Sequence, residues 1–162
     1  MKNSFAAAFG IGLVIIALAV GGIFFMQRGD KIELPGKILK VRTAALDDDS
    51  SIAVLDFRIT NPSDVIFEVR SITVEMEDPA GKNYRGASVG EIDSQRLFEG
   101  LPVLGQKFNK SLFMRERVGA HASQDRMIAA RFQAPVGTID ARKRFTLRIE
   151  EVDGKVFEYS ER

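Results

Sequence analysis

Ser51-Ile52-Ala53-Val54-Leu55-Asp56-Phe57-Arg58-Ile59-Thr60-Asn61-Pro62-Ser63-Asp64 is the stretch on which the fold class turns. Ala53, Leu55, Phe57 and Ile59 fall on alternate positions, with Asp56, Arg58 and Thr60 between them, the period of a half-buried strand. Asn61-Pro62-Ser63-Asp64 then predicts a β-turn in which the Asn61 side chain caps the first position and Pro62 presets φ at the second. The following strand starts with Phe67 and Val69 on odd positions and continues with Ile72, Val74 and Met76 on even ones. One face cannot hold both sets unless an extra residue is inserted, so a β-bulge or strong bend is predicted near Arg70-Ser71.

Working toward the C-terminus, Asp78-Pro79-Ala80-Gly81 makes a second turn into a strand at Asn83–Val89. Further strands are predicted at 111–118 and 126–134, the latter with Ile128, Ala130 and Phe132 on one face. The last two strands form a hairpin whose register can be argued. A two-residue Asp153-Gly154 turn would set Ile149 across from Glu158, apolar against charge. A three-residue Val152-Asp153-Gly154 loop, with Gly154 left-handed, pairs Ile149 with Phe157 and Leu147 with Tyr159, and sets Glu151 opposite Lys155. Short alternating strands broken by turn residues at short intervals predict an all-β sandwich.

One region does not alternate. Asp93 or Ser94 can cap a short helix running to Glu99 and closed by Gly100. Leu97, Phe98, Leu101, Val103, Leu104 and Phe108 make it the most apolar non-strand part of the domain. Its plain reading is a lid over one end of the core; its sharper reading is a contact for a protein partner, lipid or ligand. After Pro135, residues 136–142 read as a loop with at most one helical turn.

Working toward the N-terminus, the 22 residues 5–26 carry no charge and no hydrogen-bonding side chain, and 12 of them are Phe, Ile, Leu or Val. As a helix they would reach about 33 Å, enough for a hydrocarbon core of about 30 Å. Those 12 alone favour insertion by roughly 4 to 7 kcal/mol. The chain is therefore expected to comprise a tail at 1–4, a transmembrane helix at 5–26, a juxtamembrane linker at 27–33 and a domain at 34–162. Ala17-Leu18-Ala19 fits a signal-peptidase site, but apolar sequence continues past it to Met26, which favours an uncleaved anchor. Orientation rests on two opposed signals. Arg28, Lys31, Lys37, Lys40 and Arg42 after the span argue for a cytoplasmic domain, whereas the short Lys2 tail is how an exporting signal anchor begins. Export, to the periplasmic side of a single-pass membrane protein, is the preferred reading. Small residues four apart, such as Ala6/Gly10 and Ala17/Gly21, arise easily in a segment this rich in Ala and Gly.

The 23 Lys+Arg and 22 Asp+Glu nearly cancel, and because Lys2 precedes the span the remainder is neutral. Such a domain lacks the field of a non-specific nucleic-acid binder. No cysteine and one histidine exclude disulfides, thiolate metal sites and multi-His ligand sets. A hydrolase would have to use His121, in Gly119-Ala120-His121-Ala122-Ser123, but no nucleophile elbow accompanies it, so no catalytic, cofactor or metal residue is assigned. Asp47-Asp48-Asp49 lacks the spacing of a calcium loop. Arg142-Lys143-Arg144 reads as a soluble rim or a headgroup contact, Arg28-Gly29-Asp30 as a chance tripeptide, and Asn109-Lys110-Ser111 as a formal sequon.

Leu55-Asp56-Phe57-Arg58-Ile59-Thr60-Asn61-Pro62-Ser63, followed by Phe67-Glu68-Val69 and Ile72-Thr73-Val74-Glu75-Met76, resembles the core of the water-stress-and-hypersensitive-response (WHy) domain of type 2 late embryogenesis abundant proteins. The likeness is close over these residues and loose from about Glu33 to Pro135; the 97–108 segment and the final hairpin lie outside it. It implies an immunoglobulin/fibronectin-III-like sandwich, to which the residues themselves add one short helix, a membrane-anchored bacterial-type member, and a non-catalytic, stress-protective role. It also implies that Asn61 and Pro62 are turn elements. The function expected is a structural or binding module at the cell envelope. The alternative is an accessory subunit docking through the 97–108 segment, and a hydrolase using His121 ranks last.

Overall fold

A computed structural model describes residues 2–26 and 33–161, with side chains of the N-terminal helix described at 9–10 and 12–22. The chain forms two compact units, Met1–Lys31 and Ile32–Arg162. The first holds helix α1 (Lys2–Met26), which takes in part of the expected tail. Among the described residues no helix is long and apolar enough to cross a membrane; those described side chains of α1 are fewer than the ~20 a span requires. Residues 27–32, with the Arg28-Gly29-Asp30 tripeptide and Lys31, lie outside the described residues.

The second unit is one curled antiparallel sheet. Its strands are β1 (Gly36–Ala45), β2 (Ser51–Thr60), β3 (Phe67–Glu77), β4 (Asn83–Val89), β5 (Arg117–Val118), β6 (Ser123–Phe132), β7 (Arg144–Glu151) and β8 (Val156–Ser160). They lie in the order β1-β2-β6-β4-β3-β7-β8, with β5 on β3. The sheet folds over at β4, whose first half pairs with β3 (Val74↔Gly86) and whose last residues pair with β6 (Ala87↔Arg131). Gly86 sits at that changeover, where a Cβ would come 2.7 Å from Phe132 Cζ and 2.9 Å from Ala130 Cβ. The absent side chain is what lets the Phe132 ring pass under the strand.

Folding over brings the predicted apolar faces together. Leu55 and Phe57 of β2, Ile128 of β6, Val74 of β3 and Leu147 of β7 share one core. Phe132 and Phe145, from opposite halves of the sheet, pack with ring centroids 5.7 Å apart. The bulge appears where the parity change places it: Val69 faces Glu151 while Ser71 faces Glu150, leaving Arg70 extra. The final hairpin has the expected register, Ile149↔Phe157 and Leu147↔Tyr159. Gly154 is left-handed at φ 87°, and Glu151 N donates to Lys155 O at 2.8 Å. In the Asp78–Gly81 turn, Gly81 N donates to Asp78 O and Lys82 N to the Asp78 carboxylate.

Three expectations need correction. The strand predicted at 111–118 is reduced to a single bridge, Ser111–Met127, and the two residues of β5. Arg115 at φ 66° turns the chain there, and its amide donates to Val69 O beside the bulge. β6 starts at Ser123 instead of Arg126, because the polar Ser123–Asp125 run pairs with Arg58–Thr60 and Asp125 holds the Arg58 guanidinium through two hydrogen bonds. Helix α2 runs Glu91–Gly100 with Gly90 at its N-cap, so Asp93 and Ser94 lie inside it and Gly100 is its last residue. A 3₁₀ turn, Pro102–Leu104, follows and is ended by left-handed Gly105 at φ 71°. Beyond Pro135, where a loop with at most one helical turn was expected, the five residues of α3 (Val136–Asp140) are helical.

Candidate functional site

β2 is buried on both faces from Ser51 to Phe57. On the face given to Asp56, Arg58 and Thr60, Arg58 is exposed as expected but Asp56 is buried, and there Ile52 and Val54 join Ala44, Met127, Ala129 and Leu104 in a second apolar cluster, with Leu97, Phe98 and Leu101 packed against it. The segment expected to close one end of the core instead lies across the outward face of β1, β2 and β6. The clue was the unbroken apolar run Ile52-Ala53-Val54-Leu55, which marks burial on both sides.

What pins the segment down is a buried ion pair absent from the expectations. Arg42 Nη2 lies 2.6 Å from Asp56 Oδ2, with side chains 8% and 6% exposed. Arg42 Nη1 donates to the carbonyls of Leu104 and Gln106, each at 2.7 Å. Asn109 Nδ2 donates to the other Asp56 oxygen at 2.9 Å, which makes the formal sequon asparagine part of this tie. The guanidinium also lies 4.8 Å from the Phe98 ring centroid and 5.9 Å from that of Phe108. Arg42 Nε, also buried, has no hydrogen-bond partner among the described residues.

A second tie closes the start of α2. Glu91 accepts from Lys107 Nζ at 2.6 Å and from Ser111 N at 2.7 Å. Partial burial opposes its ionisation, but these hydrogen bonds prevail and bring the Glu91 carboxyl down to about 2. The six expected contact residues are thus divided. Leu104 is buried; Leu97, Phe98 and Leu101 are half-buried against the sheet; Val103 and Phe108 remain 75% and 67% exposed. Beside α2 a shallow depression is lined by Leu46, Ile52, Val89, Leu97, Leu101 and Arg131, among others.

The other singled-out residues lie elsewhere. Asn61 is fully buried and joins the loop of residues 61–66 to the end of β5. Its Oδ1 accepts from Ser63 N and Oγ, and its Nδ2 donates to Val65 O at 2.7 Å and to Val118 O and Gly119 O at 3.1 Å. Pro62 is exposed beside it. His121 is exposed in the same region, left-handed at φ 54°, with Nε2 2.7 Å from Asp64 Oδ1. Asp47 accepts from Ser50 Oγ and Asp49 N, and these bonds hold its carboxyl below the usual range. In the basic run, Arg142 is bidentate to Glu161, while Lys143 and Arg144 both pair with Glu77. Among the described residues no three acidic or histidine side chains are grouped to hold a metal ion.

No protein-family model and no curated protein matches the chain. Among solved structures, the chain is similar to the Northeast Structural Genomics Consortium target SoR45, at 10% identity over 82% of this chain and 81% of that one, with a TM-score of 0.35. It is also similar to an uncharacterized β-sandwich protein from Clostridium difficile 630, at 12% identity over 82% of each chain, with a TM-score of 0.36.

Proposed function

We propose that the chain is a single-pass, membrane-anchored β-sandwich module at the cell envelope that acts by binding or structural presence, without catalysis. The observation that carries the anchor is in α1: consecutive Leu13, Val14, Ile15 and Ile16 are each between 55% and 62% exposed. At about 100° per residue, four successive positions circle the helix, so it offers apolar surface on every side, as a lipid-facing helix does. The full helix of 25 residues would be about 38 Å long, longer than a hydrocarbon core of about 30 Å. In the second unit, the charged groups around the covered face serve as ties between segments, which supports a non-catalytic role. The buried Asn61 turn and the curled sheet support the likeness to the WHy domain and its immunoglobulin/fibronectin-like sandwich.

The chain contains no cysteine, so one introduced at exposed Ser160 reports the domain's side of the membrane. Labelling of intact cells by an impermeant maleimide, with full-length mass retained, is expected for an exported, uncleaved anchor. Labelling only after lysis would place the domain in the cytoplasm, and a shortened product would replace the anchor with a cleaved signal. The exposure of Val103 and Phe108 favours a second reading, an accessory subunit that docks through this edge of the covered face. Val103→Asp/Phe108→Asp tests it: loss of a co-purifying envelope protein with the fold intact is expected, and retention of every partner would refute it.

A further inference from the structure

We infer that the opening between β1 and β8 receives an extended segment of a partner protein, with apolar and acidic residues alternating, whose backbone pairs with the free strand edges, whether or not α1 is an anchor. These two strands end the order of the sheet, each with a bonded neighbour on one side only. Which of their backbone groups are free follows from the ladder. Thr60 N donates to Pro35 O, so in the antiparallel pairing with β2 the N–H and C=O of Lys37 point to β2 and those of Ile38 point away. The register shift between Ile38 and Lys40 lies in β1, so Asp56, two residues before Arg58, again faces β1, and Val41 is turned outward. On β8, Glu151 N donates to Lys155 O and Glu161 N to Phe145 O, so the backbone groups of Glu158 and Ser160 point away from β7. Among the described residues none of these outward groups has a backbone partner. Between the two edges lies a groove of about 470 Å³ lined by residues 36–41 and 158–161. Tyr159 closes its Gly36 end: its hydroxyl donates to Leu34 O, and a Cβ on Gly36 would come 2.8 Å from its ring.

Two observations select the occupant. The first is how the molecule fills its other opening. β4 pairs with β3 only at 74–77 and with β6 only at 129–131. Where β4 does not reach, residues 110–116 bond to both strands. Leu112 N donates to Met127 O and Met127 N to Lys110 O on one side; Arg115 N donates to Val69 O and Val69 N to Glu116 O on the other. A length of backbone is therefore what closes a split in this sheet, and β1 and β8 present the same unpaired edges with no described segment between them. The second is charge. Lys37 and Lys40 are exposed on β1 and belong to no ion pair among the described residues, whereas Glu158 and Glu161 on the opposite wall are paired with Arg148 and Arg142. The opening thus carries unbalanced positive charge, which favours acidic side chains on the outer face of the segment. Its inner face meets Ile38 and Val41, which pack against the core, and so is apolar. A second copy pairing through β1 would set these lysines against their own counterparts, which disfavours self-association.

The probe is a dye-labelled synthetic peptide of alternating valine and glutamate, added to the full chain in detergent micelles. Binding by fluorescence anisotropy is expected. With it should come new protection from hydrogen exchange at the Ile38 and Ser160 amides, which exchange fast without peptide. The Lys37 and Tyr159 amides, bonded within the sheet, should stay protected throughout. Methylating the peptide nitrogens on the bonding edge should weaken binding about tenfold or more. Lys37→Glu/Lys40→Glu should do the same, and because both side chains are exposed the fold is retained. A peptide that does not bind, or an N-methylated peptide that binds as well, would overturn the inference. Equal binding of a valine–lysine peptide would overturn it too, by removing the charge selection. Ile38 and Ser160 amides protected before any peptide is added would mean that the opening is already filled. Protection that rises with protein concentration would make the occupant a second copy. Either result overturns the inference.

Discussion

Removing the Asp56 carboxylate should release residues 101–109 from the sheet. In Asp56→Ala the guanidinium keeps the Leu104 and Gln106 carbonyls but loses the carboxylate 2.6 Å away, and Asn109 loses its acceptor. Breaking one side of a buried pair costs about 3–5 kcal/mol, because the remaining charge stays desolvated. The Phe98 and Phe108 rings offset roughly 1 kcal/mol of this, so a loss of about 3 kcal/mol is expected, a large share of the roughly 5–15 kcal/mol that holds a domain together. Arg42→Met/Asp56→Leu removes both charges and keeps most of the volume. It leaves two carbonyls without their donor, at about 1 kcal/mol each, and should cost about 2 kcal/mol or less. Denaturant unfolding of Arg42→Met, Asp56→Leu and the double variant supplies the cycle, and hydrogen exchange at the Leu104 and Gly105 amides reports whether the segment opens before the sheet. The reasoning fails if Asp56→Ala costs under about 1 kcal/mol, or if the double variant costs as much as the two singles combined.

Glu91 gives a pH-dependent counterpart. Its carboxyl lies at about 2 in the folded chain against an ordinary 4.5, so its contribution is present above the ordinary value and is lost as pH falls toward 2. The displacement alone corresponds to about 3 kcal/mol; with the side chain 43% exposed, solvent screening reduces this to about 1 kcal/mol. Glu91→Gln should therefore lose about 1 kcal/mol at neutral pH and match the parent near pH 2; an unchanged gap across that range would show that the ion pair is not the cause. Asn61→Ala removes the donor to three carbonyls and should cost about 2–3 kcal/mol by thermal or denaturant unfolding; a cost below half of that would mean water replaces the side chain. Gly86→Ala drives a methyl into the Phe132 ring and should cost about 1–3 kcal/mol, with Phe132→Leu recovering part of it in the double variant. Additive losses in that pair would place the strain elsewhere.

The inward face of β2, the bulge at Arg70 and the register of the last hairpin were legible in the sequence because each depends on the parity of apolar positions along a single strand. Side chains alternate faces regardless of what the strand packs against, so a change of parity needs an inserted residue, and a hairpin loop length follows from which pairing keeps apolar beside apolar. The Asp78 and Asn61 turns were legible for a similar reason: their hydrogen bonds begin within a few residues of the side chain that makes them.

The covered face was not legible in this way. Asp56 reads as a solvent residue by its strand position, and Arg42 belongs to another strand; nothing local couples either to Leu104 or Asn109. The same distance hid the fate of 111–118, whose apolar alternation suits a strand but whose Arg115 amide and Glu116 carbonyl are drawn to Val69 at the bulge. Sequence alone determined the alternating faces of β2, β3 and the last hairpin, the local turns and the long uncharged N-terminal segment, because these are properties of consecutive residues. Only the tertiary structure decided that β4 carries the sheet around Gly86, that α2 covers a face and not an end, and that a charged pair is buried beneath it. Those outcomes depend on which distant surfaces meet, and a buried charge is tolerable only where its partner, supplied from elsewhere in the chain, arrives with it.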